Sequence, residues 1–380
     1  MTSFTPSLIP ERTTCIARAR RHWIEGAGPD EAGAPASARI EPWITRSWQR
    51  CMAAGQRPEQ RVDFDPVSQR RAQQLAERNR QLVLAARPVL ERLSRTLADT
   101  RFFPLLTDAQ GVVIDVGALP AAVDSNEQRA QAIARIGIDL SERVAGTTAI
   151  GAALAEQVPV WLHRSEHFFH DTAPYSCAGA PLFGPDGSCI GMLDLTGILV
   201  AERPELRHLA ALSARSIENA LLRRLPCALS LQLAWPGAWL GGDGDALLCV
   251  EADGRIVGSN AAARQMLPLA REAMAAPLQC ADLFAVPLAM LFDASRRGPA
   301  QLDIPLWSGL RLQARVSEPG RDAPARGANG AAASAPRLRD VQTTLIHQAV
   351  ADAHGNVAQA ARALGISRAT VYRKLHASRQ

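Results

Sequence analysis

The sequence predicts a multi-domain α+β protein, with helices at both ends of the chain and two α/β units between them. Apolar residues recur at helical spacing near both ends, and two blocks of short apolar runs are divided by turn signals. A third observation is a segment rich in Pro, Gly, Ala and Ser, which is typical of a flexible linker. The predicted boundaries are 1–75 for N-terminal helices, 76–225 for an α/β unit with a leading helix, 226–318 for a second unit, 319–336 for the linker and 337–380 for an all-α end.

Composition excludes several classes of protein. The 380 residues are 47% hydrophobic, but no apolar run is long enough to cross a membrane and no signal-peptide pattern is present, so we expect a cytoplasmic protein without membrane contact. The seven cysteines form no CxxC pair, which argues against a disulfide framework or a zinc knuckle. Lys374 is the single lysine, and it is not preceded by the glycine-rich sequence of a P-loop, so an ATPase of that class is excluded.

The first 100 residues predict helices. Apolar residues recur at helical spacing over 40–54, and a further helix is predicted to begin at Asp65 and Pro66. Leucines at helical spacing predict a long amphipathic helix over 75–98. This helix either forms a dimer seam or signalling stalk, or packs on its own domain.

The first α/β unit is predicted from two hairpins and the helices around them. Apolar runs at 102–107 and 112–116 are split by a turn signal, and runs at 176–183 and 188–196 by another. The remaining predicted elements are a strand at 159–163 and helices from 127, at 146–156 and at 202–224. An antiparallel sheet with helices against it can leave a closed pocket under its covering loops.

Five residues in this unit have chemistry that needs an explanation. His163, His167 and His170 have metal-ligand spacing, but 159–163 is predicted as a strand, which would separate His163 from the others, so we predict no metal site. Cys177 is either a buried inert thiol or a reactive one. Asp194 lies within an apolar strand, so it is either a structural hydrogen-bond hub or a pocket acceptor.

The second unit is predicted to contain strand, turn, strand and a helix capped by Asn260, followed by strands at 302–305 and 310–316. It resembles a degenerate PAS domain. No histidine lies between His208 and His347, so a histidine-ligated haem is excluded there, and no cofactor is predicted. The unit is either a packing or dimerising spacer or a ligand sensor.

The C-terminal end predicts two short helices. The first begins after Asn356 and ends at Gly365, and the second follows at once with Ser367 as its cap. Residues 337–380 contain seven Arg or Lys and two Asp, an excess that equals the net charge of +5 of the whole chain. This layout is typical of a helix-turn-helix, whose second helix enters the DNA major groove. The alternative is a helical hairpin used for packing or dimerisation.

The stretch NVAQAARALGISRATVYRKL at 356–375 resembles the C-terminal DNA-binding domain of Fis-type bacterial regulators. The resemblance implies that this end binds double-stranded DNA. The residues that it places at the DNA are Ser367, Arg368, Thr370, Tyr372, Arg373 and Lys374.

A second resemblance covers the first α/β unit. The ordered segments GTTAIG at 146–151, EHF at 166–168, SCA at 176–178 and LDLTG at 193–197 are similar to the GAF domain of acetoin-catabolism-type, sigma-54 enhancer-binding-like regulators. Thr148 stands where that family usually has Asn. The resemblance implies a small-molecule effector such as a ketone, an alcohol or an aromatic metabolite. The expected effector-binding residues are Thr147, His163, His167, Tyr175, Cys177 and Asp194.

These observations predict a DNA-binding transcription regulator, not an enzyme, whose GAF-like unit senses a small molecule. Relatives of this type carry a central AAA+ ATPase domain, which this chain lacks, so we expect it to act without ATP hydrolysis. A homodimer is expected because a single short recognition helix rarely binds DNA tightly. The alternative is a small-molecule enzyme or a cysteine-based redox sensor with the C-terminal helices used for assembly.

Overall fold

The computed structural model of the chain describes residues 9–26, 40–65, 67–119, 126–238, 240–267, 278–298, 301–319 and 357. The strands in these ranges form two five-stranded sheets with antiparallel neighbours throughout. Both sheets belong to one compact unit of the chain, and helices cover them, which confirms the mixed α/β class. Apart from residues 319 and 357, the predicted linker and C-terminal helices lie outside the described residues.

The elements around the first sheet come first in the chain. The helices are α1 (Ile9–Trp23), α2 (Pro42–Ala53), α3 (Gln69–Arg78), α4 (Arg80–Leu97), α5 (Asn126–Ile133), α6 (Glu142–Ala145), α7 (Ala149–Glu156) and α8 (Leu206–Leu222), with a 3-10 turn at Arg164–Glu166. The strands are β1 (Phe102–Asp108), β2 (Val113–Val116), β3 (Val160–His163), β4 (Tyr175–Phe183) and β5 (Cys189–Ile198). Within the described ranges, no helix is both long and apolar enough to cross a bilayer.

Two predictions about the N-terminal helices are wrong in position. The helix predicted to begin at Asp65 and Pro66 begins at Gln69, because the Ser68 side chain accepts a hydrogen bond from a backbone N–H of the first turn and so caps the helix there. The single helix predicted over 75–98 is instead two helices, α3 and α4, which meet at Asn79.

The first sheet has the strand order β2-β1-β5-β4-β3, and both predicted hairpins are confirmed. Aspartates fix their turns. Asp108 Oδ1 accepts from the backbone N–H groups of Gln110 (2.9 Å) and Val112 (3.0 Å), and Asp186 Oδ1 accepts from that of Ser188 (3.0 Å). Because side chains alternate along each strand, the sheet has two apolar faces: α4 and α8 cover one, and α1, α2, α5, α6 and α7 cover the other.

The N-terminal helices share a hydrophobic core with the first sheet. Ile44 and Trp48 of α2 are completely buried, and they belong to the same apolar cluster as Phe103 and Leu105 of β1. Helix α1 joins this cluster through Ile16 and Ala19. The predicted domain boundary after residue 75 falls inside α3. The residues before it therefore contribute to the interior of the first α/β unit.

The second sheet contains β6 (Leu229–Ala234), β7 (Ala246–Val250), β8 (Ile256–Ser259), β9 (Gln301–Pro305) and β10 (Arg311–Ser317), in the order β8-β7-β6-β10-β9. Its helices are α9 (Ala261–Met266), α10 (Cys280–Leu283) and α11 (Leu288–Arg296). The central strand β6 was not predicted, although Leu229, Leu231 and Leu233 alternate with less buried residues as a strand requires.

Asn260 joins α8 to the second sheet. Its Oδ1 accepts from the backbone N–H groups of Leu247 (3.0 Å) and Ala263 (2.8 Å), and the latter bond confirms the predicted cap of α9. Its Nδ2 donates to Asn219 Oδ1 of α8 (2.8 Å) and to the Asp245 carbonyl (2.7 Å). All four hydrogen bonds are buried, so this one side chain holds a helix start, a strand and α8 together.

Asn260→Ala is expected to lower the free energy of unfolding by about 2–4 kcal/mol, because buried donors and acceptors lose their partners together with the helix cap. Urea denaturation followed by circular dichroism measures this value. The matched control is Asn79→Ala, whose half-exposed side chain donates only to the Leu75 carbonyl (3.0 Å), so about 0.5–1 kcal/mol or less is expected. Equal losses for the two variants would contradict the role assigned to Asn260.

Candidate functional site

A small cavity lined mostly by buried residues lies between the first sheet and the helices on its α7 face. Its volume is about 30 Å³. On the same measure a single water needs roughly 10–15 Å³, so the cavity has room for a few heavy atoms. Apart from the half-buried Phe64, the lining residues are buried. They are Phe64, Ile133, Leu140, Ala145, Thr148, Ala149, Ile150, His167, Thr172, Tyr175, Cys177, Asp194 and Thr196.

Three polar residues on two neighbouring strands form the floor of the cavity. Cys177 of β4 lies directly opposite Thr196 of β5, with 3.5 Å between the thiol sulfur and the hydroxyl oxygen. Asp194 lies two residues before Thr196, so both point to the same face, and the Thr196 hydroxyl donates to Asp194 Oδ2. Gly179 pairs with Asp194 across the strands, and its lack of a side chain lets the Ala149 carbonyl of α7 approach β4 closely.

The second carboxyl oxygen of Asp194 has no hydrogen-bond partner among the residues that the structure describes. Asp194 is completely inaccessible to solvent, and its Oδ1 is buried without a hydrogen bond to any described residue. Burial raises the pKa of Asp194 to about 7, because a charged carboxylate is poorly solvated there. Near neutral pH the group can therefore donate a hydrogen bond to a carbonyl when protonated, or accept one from a hydroxyl when ionised.

His167 faces the floor from the segment after β3. Its Nδ1 lies 2.8 Å from the Arg164 carbonyl and therefore donates to it, which leaves Nε2 as an acceptor, 4.0 Å from the Cys177 sulfur. Burial lowers the pKa of His167 to about 4 and raises the pKa of Cys177 well above its ordinary value. Both side chains are therefore neutral near pH 7, and the thiol acts as a weak hydrogen-bond donor and not as a thiolate.

The Thr148 hydroxyl closes the helical side of the cavity. It accepts from the backbone N–H of Gly151 (3.0 Å) as the cap of α7, and it donates to the Leu140 carbonyl (3.2 Å). The helix predicted over 146–156 therefore begins at Ala149. Tyr175 also lines the cavity, and its hydroxyl donates to the Arg129 carbonyl at 3.2 Å.

The structure brings four of the six predicted effector residues, His167, Tyr175, Cys177 and Asp194, to the cavity. Thr147 points toward α2 instead, where its hydroxyl lies 2.7 Å from the Ser47 hydroxyl. His163 is the last residue of β3. Its Nδ1 lies 2.7 Å from the Ser176 hydroxyl, and its ring is stacked on that of Trp161. In the part of the chain that the structure describes, no three side chains of metal-ligand type are gathered as a metal site would need.

The N-terminal helices supply hydrogen-bond donors to the segment that carries His167. The Arg20 guanidinium donates to the carbonyls of Ser165 (3.1 Å), His167 (2.6 Å) and Phe168 (2.9 Å), and Trp48 Nε1 donates to that of Glu166 (2.9 Å). These bonds connect residues more than 100 positions apart in the chain, so no local sequence signal could have revealed them. Phe64, Thr148, Thr172 and Thr196 were also missed as lining residues, although Thr196 lay within the recognised LDLTG segment.

The predicted DNA-contacting residues, Ser367, Arg368, Thr370, Tyr372, Arg373 and Lys374, lie outside the described residues. The sequence of this end nevertheless matches a known family. Residues 337–377 match the family described as "Bacterial regulatory protein, Fis family", and residues 13–219 match the family described as "MimR, N-terminal domain".

Individual proteins are also similar to this chain. It is 32% identical over 235 residues to the acetoin catabolism regulatory protein of Cupriavidus necator, an alignment that covers 59% of this chain and 34% of the relative. It is 30% identical over 228 residues to the propane 2-monooxygenase operon transcriptional activator MimR of Mycolicibacterium goodii, an alignment that covers 57% of this chain and 37% of that relative. The chain thus spans about a third of the length of these curated relatives. In the crystal structure of the E. coli DhaR(N)-DhaL complex, the matching chain is 14% identical with a TM-score of 0.43, covering 73% of this chain and 99% of that one.

The raised pKa of Asp194 predicts a specific dependence of stability on pH. Between its ordinary pKa near 3.8 and about 7, the folded state keeps the proton that the unfolded state has lost, so the free energy of unfolding falls as pH rises through this window. Asp194→Asn removes this effect. From about pH 5 to about pH 8, the free energy of unfolding of the wild type is expected to fall by about 1–3 kcal/mol more than that of the variant, as measured by urea denaturation. The control Asp303→Asn, on the exposed edge strand, should show the same pH dependence of stability as the wild type. If the free energy of unfolding of Asp194→Asn changes with pH in parallel with that of the wild type, the prediction is contradicted.

Proposed function

Since the chain belongs to the family defined by the MimR N-terminal domain and ends in a Fis-family segment, we propose that it is a transcription regulator. The proposed regulator binds a small effector in the cavity of the first sheet and DNA through its C-terminal end. The relatives named above are regulators of catabolic or monooxygenase genes, which supports this class of function.

The observation that carries the effector proposal is that one carboxyl oxygen of Asp194, a residue of the cavity lining, is buried without a hydrogen bond to any described residue. A buried polar atom without a partner is costly, and a ligand that supplies the missing hydrogen bond would recover that cost. Thr196 and Cys177 supply further polar atoms on the same floor, while most other lining side chains are apolar. This arrangement suits a neutral molecule with an apolar body and one or two oxygen atoms.

Size narrows the class of effector. A cavity of about 150 Å³ is known to hold benzene, whereas this one has about 30 Å³. A ligand of more than a few heavy atoms therefore requires the cavity to widen, and we propose a short, flexible aliphatic ketone or alcohol in place of a rigid aromatic metabolite. An anionic effector is disfavoured because the described lining residues include no Arg or Lys to pair with it. The name of the Cupriavidus relative makes acetoin, a hydroxyketone, a suitable first probe.

The finer fold assignments are part of the same proposal. The first sheet with helices on both faces and an internal cavity is consistent with a GAF-like sensor, and the second sheet with a PAS-like unit. We assign the second unit no ligand. Its apolar core and its polar junction with α8 are consistent with a packing role.

At the C-terminal end we propose contacts to double-stranded DNA by Ser367, Arg368, Thr370, Tyr372, Arg373 and Lys374, in a homodimer that matches a two-fold DNA site. The printed sequence contains no P-loop, so the proposed mode of action is occupancy of DNA or recruitment of a partner without ATP hydrolysis. The alternative of a cysteine-based redox sensor is weaker, because burial keeps the Cys177 thiol protonated.

Asp194→Asn is expected to weaken acetoin binding by about tenfold or more, since the amide cannot reproduce both hydrogen-bonding states of the carboxyl group. Isothermal titration calorimetry of the full chain measures the dissociation constant. Asp303→Asn, an exposed substitution of the same type, should leave it unchanged. If Asp194→Asn binds acetoin as tightly as wild type does, Asp194 is not the anchor. If wild type binds no small ketone or alcohol, the effector proposal itself fails.

DNA binding is tested by gel shift with a duplex selected by the protein from a random pool. Log affinity should fall with log salt concentration with a slope of about −4 to −7, as expected for roughly five to eight neutralised phosphates. Arg373→Ala should weaken binding by about tenfold or more. The control Arg362→Ala removes the same charge from the first predicted helix and should have a smaller effect. An unchanged affinity of Arg373→Ala would contradict the recognition-helix assignment.

A further inference from the structure

One segment of chain lies between the cavity and the outer side of the molecule. Residues 165–173 run between the cavity and a groove on the outer side, and neighbouring residues of this segment face opposite ways: Thr172 lines the cavity and Ala173 lines the groove. His167 is common to the linings of both spaces in the described part of the chain. Its imidazole therefore forms part of the partition between them.

The outer groove is large enough to receive this imidazole. It has a volume of about 320 Å³ and lies between α1 and the 165–173 segment. Its lining consists of Thr13, Ala17, Arg20, Arg21, Glu25, Ser165, His167, Phe169, His170 and Ala173. Ala17 is an exposed residue of α1, so the groove opens directly to solvent on that side.

The contacts of His167 distinguish a fixed backbone from a less strongly held side chain. Its backbone N–H donates to the Arg164 carbonyl (3.0 Å), and its carbonyl accepts from Arg20 (2.6 Å). The imidazole has one close hydrogen bond, from Nδ1 to the Arg164 carbonyl, and a distant contact with the Cys177 thiol at 4.0 Å. Since the ring is neutral, rotating it breaks one uncharged hydrogen bond and leaves the backbone in place.

We propose that the outer groove is the access route to the cavity and that rotation of the His167 side chain into the groove opens it. The inference rests on the proposed function, because it takes the cavity as the effector site. It assigns His167 a second role besides lining the site: the rate of effector binding and release depends on it. The α1 helix then acts as the outer wall of this route.

The test uses Cys177 as a reporter that needs no effector. Cys177 is 6% exposed and lies on the cavity floor beyond His167. Methyl methanethiosulfonate, a reagent of six heavy atoms, forms a disulfide when the thiolate attacks its methylthio sulfur: the proton goes to solvent and methanesulfinate leaves with the electron pair of the broken sulfur–sulfur bond. Peptide mass spectrometry of the full chain at mildly alkaline pH measures the labelling rate of each cysteine.

The double variant Ala17→Phe/Ala173→Phe fills the groove and is expected to slow labelling of Cys177 by about fivefold or more, whereas His167→Ala should accelerate it by a similar factor. Both alanines lie outside the cavity lining, so the floor itself is unchanged. The matched control is Ala289→Phe, an exposed helical alanine in α11. The buried Cys51 and Cys249 report global unfolding, and their rates are used to normalise that of Cys177.

Two results would overturn the proposal. One is a labelling rate of Cys177 that is unaffected by both the groove-filling variant and His167→Ala. The other is acceleration by Phe64→Ala together with no effect of filling the groove, which would place the route at the half-buried Phe64. Because labelling does not require an effector, the access route can be tested even if the protein does not bind acetoin. Conversely, if acetoin binds but both variants leave the labelling rate unchanged, only the proposed route is wrong and the proposed function stands.

Discussion

The cavity depends on how the backbone carbonyls of residues 165–168 are satisfied. Residues 166–168 are buried under the N-terminal helices, and the segment contains only the single 3-10 turn at Arg164–Glu166, so many of its carbonyls lack partners within the segment. Arg20 and Trp48 supply the missing donors. Arg12 adds an ion pair to the buried Glu166 (2.6 Å), whose other oxygen accepts from the His163 backbone N–H (2.7 Å). A wall without regular secondary structure is thereby held closely enough to enclose a space of a few atoms.

Much of the first sheet could be predicted from the sequence because its signals are local. Alternating apolar runs and the turn aspartates Asp108 and Asp186 define both hairpins within a few residues. Period-two alternation also places Asp194 and Thr196 on one face of β5. The contribution of Arg20 could not be predicted, because it acts on residues 145 to 148 positions away. The same holds for the burial of α2 against β1, which depends on tertiary packing and not on helix periodicity.

Strand alternation also connects the cavity with the opposite face of the sheet. Cys177 of β4 points into the cavity, while its neighbours Ala178 and Ala180 point to the other side and belong to the apolar cluster that contains α8. Small side chains at these positions let α8 lie close to the strand. Any displacement of β4 by a molecule in the cavity must therefore be accommodated by α8, since close-packed interiors have little free volume.

Helix α8 continues beyond the first sheet into a junction that is rich in specific polar contacts. Its Asn219 bonds to Asn260, and its Glu218, whose pKa burial raises to about 7, accepts from the Phe183 backbone N–H (2.8 Å) at the end of β4. The Ser259 backbone N–H donates to the Pro185 carbonyl in the β4–β5 turn (2.9 Å). Apolar packing of Leu222 against Leu247 alone would tolerate sliding, but these bonds are directional, and the one between Asn219 and Asn260 is buried. The second sheet is therefore connected by hydrogen bonds to β4 and α8, the two elements that lie next to the cavity floor and behind it.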